Sequence, residues 1–126
     1  ITSNEFGFTH WKDYYQRKLV EKYKTGNNIF LIAINKENEI VGTCGGLQQS
    51  KDTIKLNCFY VDSKYRNIGI GNKLYNLFLQ FVQKEKYQEI ILCTFKEYDI
   101  AKKFYEKRGF KLFEKIDEEL WYKKEV

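Results

Sequence analysis

The stretch Val61-Asp62-Ser63-Lys64-Tyr65-Arg66-Asn67-Ile68-Gly69-Ile70-Gly71-Asn72-Lys73-Leu74 decides how this chain is read. It starts at the end of an apolar, strand-like run, Ile54 to Val61, and ends inside the strongest helical stripe of the sequence. In that stripe Leu74, Leu77, Phe78, Phe81 and Val82 stand at i, i+3, i+4, i+7 and i+8, one core-facing side of a helix. The loop between strand and helix carries Gly69 and Gly71, with the cations Arg66 and Lys73. The first amides of a helix lack internal partners and point outward. The helix dipole adds partial positive charge there, and glycines let a backbone amide approach an anion closely. The pattern therefore predicts an anion site, although a tight turn without a ligand uses the same glycines. Two better-known phosphate loops do not fit. A Walker loop needs Gly-Lys-Ser/Thr, whereas Gly71 is followed by Asn72, Lys73 and Leu74; the dinucleotide fingerprint wants a third glycine where Leu74 stands.

Outward from this loop the elements alternate. Upstream, Thr9 is placed to cap a helix carrying Trp11, Tyr14, Tyr15, Leu19 and Tyr23 that ends near Gly26. Ile29 to Ile34 reads as a strand, Asn35 to Glu39 as a turn, and Ile40 to Leu47 as a second hairpin arm loosened by Gly42, Gly45 and Gly46. In the strand before the loop, Ile54, Leu56, Cys58 and Tyr60 alternate as ordinary half-buried positions. Downstream, Ile90 to Phe95 is a short strand after a helix, the pattern of a parallel crossover. A second helix is expected from Asp99 to Arg108, with Phe104 in the core and Gly109 as its stop. Phe110 to Glu114 and Glu119 to Lys123 read as two last strands turned at Asp117. The order is α-β-β-β-α-β-α-β-β. It predicts an α+β (mixed α/β) domain with a central mixed, mostly antiparallel sheet flanked by helices.

The segment Arg66-x-x-Gly69-x-Gly71 after a strand resembles the acetyl-CoA loop of the GNAT superfamily of N-acetyltransferases, which reads Arg/Gln-x-x-Gly-x-Gly/Ala. A second segment, Ala101-Lys-Lys-Phe-Tyr105-Glu-Lys-Arg-Gly109-Phe110, resembles that family's Ala-x-x-x-Tyr-x-x-x-Gly-Phe. The motifs stand in the right order, and the resemblance runs over nearly the whole chain from about residue 9.

The resemblance implies an acetyl-CoA-dependent N-acetyltransferase in which a primary amine, on a small molecule or a peptide, attacks the thioester directly. It places the CoA pyrophosphate on the amides of Arg66, Asn67, Ile68, Gly69, Ile70 and Gly71, with Asn72 and Lys73 beside them. Pantetheine would pair with Phe59, Tyr60 and Val61, in a cleft splayed between this strand and the one at Ile90. A bulge there would free the Phe59 amide for the thioester carbonyl. Tyr105 matches the general acid that protonates the leaving thiolate. Two positions depart from the family pattern. Tyr98 stands where many members carry an Asn that touches pantetheine, and Lys55 stands where some carry a Glu base. Asp62, Asn57, a tyrosine, a water chain or His10 are the alternatives for the base. These departures motivate a second reading, a non-catalytic acyl-CoA-binding sensor or regulatory module. The family usually opens with a strand before its first helix. Residues 1–8 are a poor strand with Gly7 inside, so that strand is expected either to be missing here, having lain upstream, or to have degenerated.

Composition bounds the rest. The 126 residues suit a single domain, 1–126, and are 43% hydrophobic and 31% charged, which excludes a disordered or collagen-like chain. The net charge is +5. Most of the excess lies in the second half, and from Ser63 to Lys84 there are four basic residues and no acid, a field suited to a phosphate-bearing ligand. Acidic and basic residues otherwise interleave, and no RNA-binding motif appears, so nucleic acid is not an expected partner. Cys44, Cys58 and Cys93 lie in strand-like runs and predict buried free thiols in a reducing, cytoplasmic setting. One histidine gives no metal-ligand spacing, so no metal is expected. No apolar run approaches the length of a membrane span, so no membrane partner is expected either. A homodimer is compatible with this reading.

Overall fold

The computed structural model describes residues 6–10, 23 and 26–126. Its strands are β1 (Gly7–His10), β2 (Ile29–Ile34), β3 (Ile40–Gln48), β4 (Thr53–Val61), β5 (Glu89–Phe95), β6 (Lys111–Ile116) and β7 (Glu119–Glu125). Helix α1 (Ile70–Lys84) joins β4 to β5, and α2 (Asp99–Lys107) joins β5 to β6. One seven-stranded sheet results, in the order β1-β2-β3-β4-β5-β7-β6. All neighbours are antiparallel except β4 and β5, which α1 connects as a parallel crossover. This is the mixed, mostly antiparallel sheet expected from the element order.

The apolar stripe of α1 packs where its spacing predicts. Ile70, Leu74, Tyr75, Phe78 and Val82 are buried against Ile29, Leu31, Ile54, Leu56, Ile90 and Leu92 of the sheet. Gly42 and Gly46 of β3 serve this docking rather than loosening the strand. A Cβ at Gly46 would sit 2.7 Å from Phe78 Cε1 and 2.8 Å from Ile54 Cδ1, so only glycine lets α1 lie this close.

Three expectations are corrected. The first strand is present: Gly7–His10 pairs antiparallel with Leu31–Ile34. Thr9 therefore lies opposite Ile32 in a ladder and is not a helix cap. The overlooked signal was Phe6 and Phe8, two residues apart, both packed on the core; backbone pairing to β2 holds a strand that Gly7 makes weak on paper. The helix expected from Thr9 to Gly26 lies otherwise outside the described residues. Second, alternation in β4 breaks. Ile54 and Leu56 are buried, but Cys58 and Tyr60 are exposed, while Phe59 and Val61 pack against the core. The register skips from Gly45↔Asn57 to Thr43↔Tyr60, so β4 carries one extra residue; a bulge of one residue flips every later side chain to the other face. Third, the same bulge exposes one of the thiols expected to be buried. Cys44 is buried, Cys93 is half-buried and Cys58 is exposed, and all three are free.

Candidate acyl-transfer site

The site begins where two parallel strands stop pairing. β4 and β5 share only three register pairs, Thr53↔Glu89, Ile54↔Ile90 and Lys55↔Ile91. Beyond Lys55, β4 stays paired with β3 while β5 stays paired with β7. Among the described residues nothing pairs with the β5-facing edge of β4 from Leu56 to Val61. The result is a splayed notch between the strands, walled by backbone that keeps unused donors and acceptors.

Phe59 and Tyr60 lie on this edge at the bulge, and Val61 ends it. Cys58, inside the bulge, has φ of 52°, the left-handed region. Its carbonyl accepts a 2.6 Å bond from Thr43 Oγ1, and its N–H donates to Asn57 Oδ1 at 3.1 Å. Asn57 Nδ2 donates to the Tyr23 hydroxyl at 3.2 Å, and that hydroxyl lies 3.8 Å from Cys58 Sγ. A bulge thus stands at the position the family pattern suggested, held by side chains of β3 and β4.

The loop follows directly. Asp62 caps a single 3-10 turn, Ser63–Tyr65, by accepting from the Lys64 amide at 2.9 Å. Arg66 folds back and donates from Nε to the Val61 carbonyl at 3.0 Å, tying the loop to the end of β4. Asn67 and Gly69 both adopt left-handed backbone, φ of 63° and 94°. Backbone curled in this way builds concavities that receive anions. Gly69 is the N-cap of α1, with no side-chain cap bond, which leaves the first helical amides to other partners. Arg66, Asn67, Gly69, Asn72 and Lys73 are exposed, Ile68 and Gly71 are half-buried, and Ile70 sends its side chain into the core. So the residues expected around a pyrophosphate meet at one helix start, and Ile70 offers only its backbone.

Tyr105 arrives from α2. It is buried, with its ring 6.4 Å from that of Phe59 and 5.7 Å from Phe110. Burial pushes its hydroxyl well above the usual tyrosine range, so it stays protonated at any ordinary pH. Phe104, expected in the core, is only partly buried; it packs edge-on to Phe59 at 5.2 Å and to Tyr75 at 5.8 Å.

Arg108 is the residue that its position in the sequence did not mark. Its guanidinium stacks 3.3 Å from the Phe104 ring centroid, donates to the Phe104 carbonyl at 3.0 Å, and donates to Asn72 Oδ1 in the first turn of α1. It thereby joins the end of α2 to the helix start and adds a cation there. Its partner is far away in the chain, so no local spacing could have revealed it.

Other candidates fall elsewhere. Tyr98 is the exposed N-cap of α2, packed edge-on to Phe95 at 5.6 Å. Lys55 Nζ lies 4.9 Å over the Trp121 ring, and Trp121 Nε1 donates to Glu119 Oε1 at 3.3 Å. Of the candidate bases, Asp62 caps the loop and Asn57 holds the bulge. His10 contributes backbone to β1. No cluster of three or more His, Cys, Asp or Glu side chains occurs among the described residues. No helix among them is long and apolar enough to cross a membrane.

Comparison with known proteins agrees with this fold. The model of the acetyltransferase (GNAT) family matches residues 2–110. A GNAT-family acetyltransferase from Staphylococcus aureus superposes with a TM-score of 0.82 at 21% identity, over 95% of this chain and 98% of that one. An acetyltransferase from Streptococcus agalactiae gives 0.79 at 26% identity, over 86% and 73%. A GNAT-family acetyltransferase from Elizabethkingia anophelis, solved with acetyl-CoA bound, gives 0.75 at 15% identity, over 98% and 100%. No curated protein sequence matches the chain.

Proposed function

The chain belongs to the acetyltransferase (GNAT) family, and on that premise we propose that it transfers an acetyl group from acetyl-CoA to a primary amine by direct attack on the thioester. The observation that supports the proposal is the proximity of three features: the open edge of β4 at its bulge, the α1 start with its Gly69 loop, and the ring of Tyr105, 6.4 Å from that of Phe59. The acetyl-CoA bound to the Elizabethkingia relative supports the same donor here.

In this reading the amides from Arg66 to Gly71 receive the pyrophosphate, with the Lys73 and Arg108 charges beside it. Pantetheine lies along Phe59, Tyr60 and Val61 as an added strand. The neutral amine nitrogen attacks the thioester carbonyl carbon. The Phe59 amide donates to the oxygen as it gains charge, a contribution of roughly 3–4 kcal/mol in comparable sites. The C–S bond breaks as the Tyr105 hydroxyl proton passes to the sulfur, the proton lost by nitrogen leaves to solvent, and solvent returns a proton to the Tyr105 oxygen. Burial keeps the Tyr105 hydroxyl protonated, the state in which an acid must stand when the thiolate forms.

A second reading, an acyl-CoA-binding module without transferase activity, is favoured by one observation: Asp62 and Asn57 are engaged in structural hydrogen bonds rather than free to act as bases. One experiment separates the two. Acetyl-CoA is incubated with a panel of small-molecule and peptide amines and free thiol is followed. Amine-dependent thiol release supports the enzyme. Calorimetric binding of acetyl-CoA without release on any amine supports the sensor, and no binding at millimolar ligand overturns both.

A further inference from the structure

The bulge of β4 poses a physical question. Cys58 is a non-glycine residue in left-handed backbone, a strained conformation that persists only when its surroundings over-determine it. Here the surroundings are specific. Thr43 Oγ1 donates to the Cys58 carbonyl at 2.6 Å, and Asn57 Oδ1 accepts from the Cys58 N–H at 3.1 Å. Both polar groups of the strained residue are thus held by side chains, one from each strand of the pair. The Tyr23 hydroxyl, 3.2 Å from Asn57 Nδ2, fixes which way the Asn57 amide faces and so keeps its oxygen on the Cys58 N–H. The Cys58 carbonyl and the Phe59 N–H belong to the same peptide unit. Because that unit is planar, fixing the carbonyl fixes the direction of the amide.

We propose that Thr43 and Asn57 are positioning residues that aim the Phe59 amide into the notch, with Tyr23 orienting Asn57. The proposal rests on the transfer reading given above. None of the three needs to touch the substrate; they act through the Cys58–Phe59 peptide. An oxyanion donor must be aimed in advance to be effective, since a group that reorganises during reaction loses most of its advantage. A misplacement of about 1 Å can cost about 100-fold in rate.

The test compares Thr43→Val, which keeps the shape and removes the hydroxyl, with Thr43→Ser, which keeps the hydroxyl. Thr43→Val is expected to lower kcat by about 10- to 100-fold with KM for acetyl-CoA within about twofold, and Thr43→Ser to retain most of the rate. Asn57→Ala is expected to follow Thr43→Val. A second readout does not depend on turnover: the Phe59 amide resonance in nitrogen-labelled protein. Acetyl-CoA, but not CoA, should move it downfield in the wild type, and the Thr43→Val variant should lose that difference at saturating ligand. An unchanged kcat in Thr43→Val, an equal loss in Thr43→Ser, or a Phe59 shift that survives Thr43→Val overturns the proposal. A wild type that binds acetyl-CoA and acetylates no amine overturns the transfer reading alone, and the amide shift then still decides whether Thr43 aims Phe59.

Discussion

The ring of Phe59 on β4 and the ring of Tyr105 on α2 lie 6.4 Å apart, tilted by 50°. One follows the bulged residue Cys58, and the other lies in the last turn of its helix. Contact between them sets the Tyr105 ring against the part of β4 that has lost its parallel neighbour.

Tyr105→Phe tests that placement. It is expected to lower kcat by roughly 100-fold or more and leave acetyl-CoA affinity within about twofold. The sign of the pH dependence follows from the raised hydroxyl: the acid keeps its proton through neutral and mildly alkaline pH. The wild-type rate should therefore rise as the amine deprotonates and show no falling limb below about pH 10, where an ordinary tyrosine would begin to ionise. A falling limb near pH 8 would remove Tyr105 as the acid.

The two loop glycines are expected to differ. Gly69→Ala meets no neighbour but keeps a φ of 94°, so strain alone should destabilise the fold by roughly 1–2 kcal/mol and weaken CoA binding. A Cβ at Gly71 would lie 3.6 Å from Val61 Cγ2 and 3.9 Å from Phe59 Cζ, ordinary contact distances. Gly71→Ala should stay within about 0.5 kcal/mol of wild type in urea unfolding. Equal effects at both positions would contradict the backbone argument.

Arg108→Lys keeps the charge and loses the planar stack on Phe104 and the fork that reaches the Phe104 carbonyl and Asn72 together. We expect a loss of roughly 1.5–3 kcal/mol in stability and weaker CoA binding. Retention of both would show that charge alone suffices at the helix start.

Tyr75 is buried, and its hydroxyl has no hydrogen-bond partner. Removing an orphaned polar atom relieves a desolvation cost, so Tyr75→Phe should be neutral or stabilising by up to about 1 kcal/mol. Burial raises this hydroxyl to about 12. A group raised on folding contributes stability that is complete below its unfolded value, about 10, and is lost as pH climbs through its folded value. The wild type should therefore lose more stability between about pH 10 and 12 than the Phe variant does. Thermal melts across that range measure the difference.

Much of this was legible beforehand. The strands from β2 onward, α1, α2 and the turn at Asp117 fall within a residue or two of their expected ends, because hydrophobic period and turn chemistry are local. The loop into α1 was legible for the same reason: Gly69 and the start of α1 are set by neighbours in the chain. The bulge was suggested only through family resemblance, and alternation of Ile54, Leu56, Cys58 and Tyr60 argued against it. Nothing near Thr43 in sequence pointed to Cys58, and nothing near Asn72 pointed to Arg108. The first strand was hidden by Gly7, whose weakness the pairing with β2 offsets.

By itself, then, the sequence determined the order of elements and the two segments, Arg66–Gly71 and Ala101–Phe110, that carry the family resemblance. Short-range backbone preferences and helix periodicity are enough for that. Only the tertiary structure decided which face Phe59 takes, how Cys58 is held left-handed by Thr43 and Asn57, and that Arg108 joins two helices at the loop. Those outcomes depend on pairing register and on partners distant in the chain, which local preference does not encode.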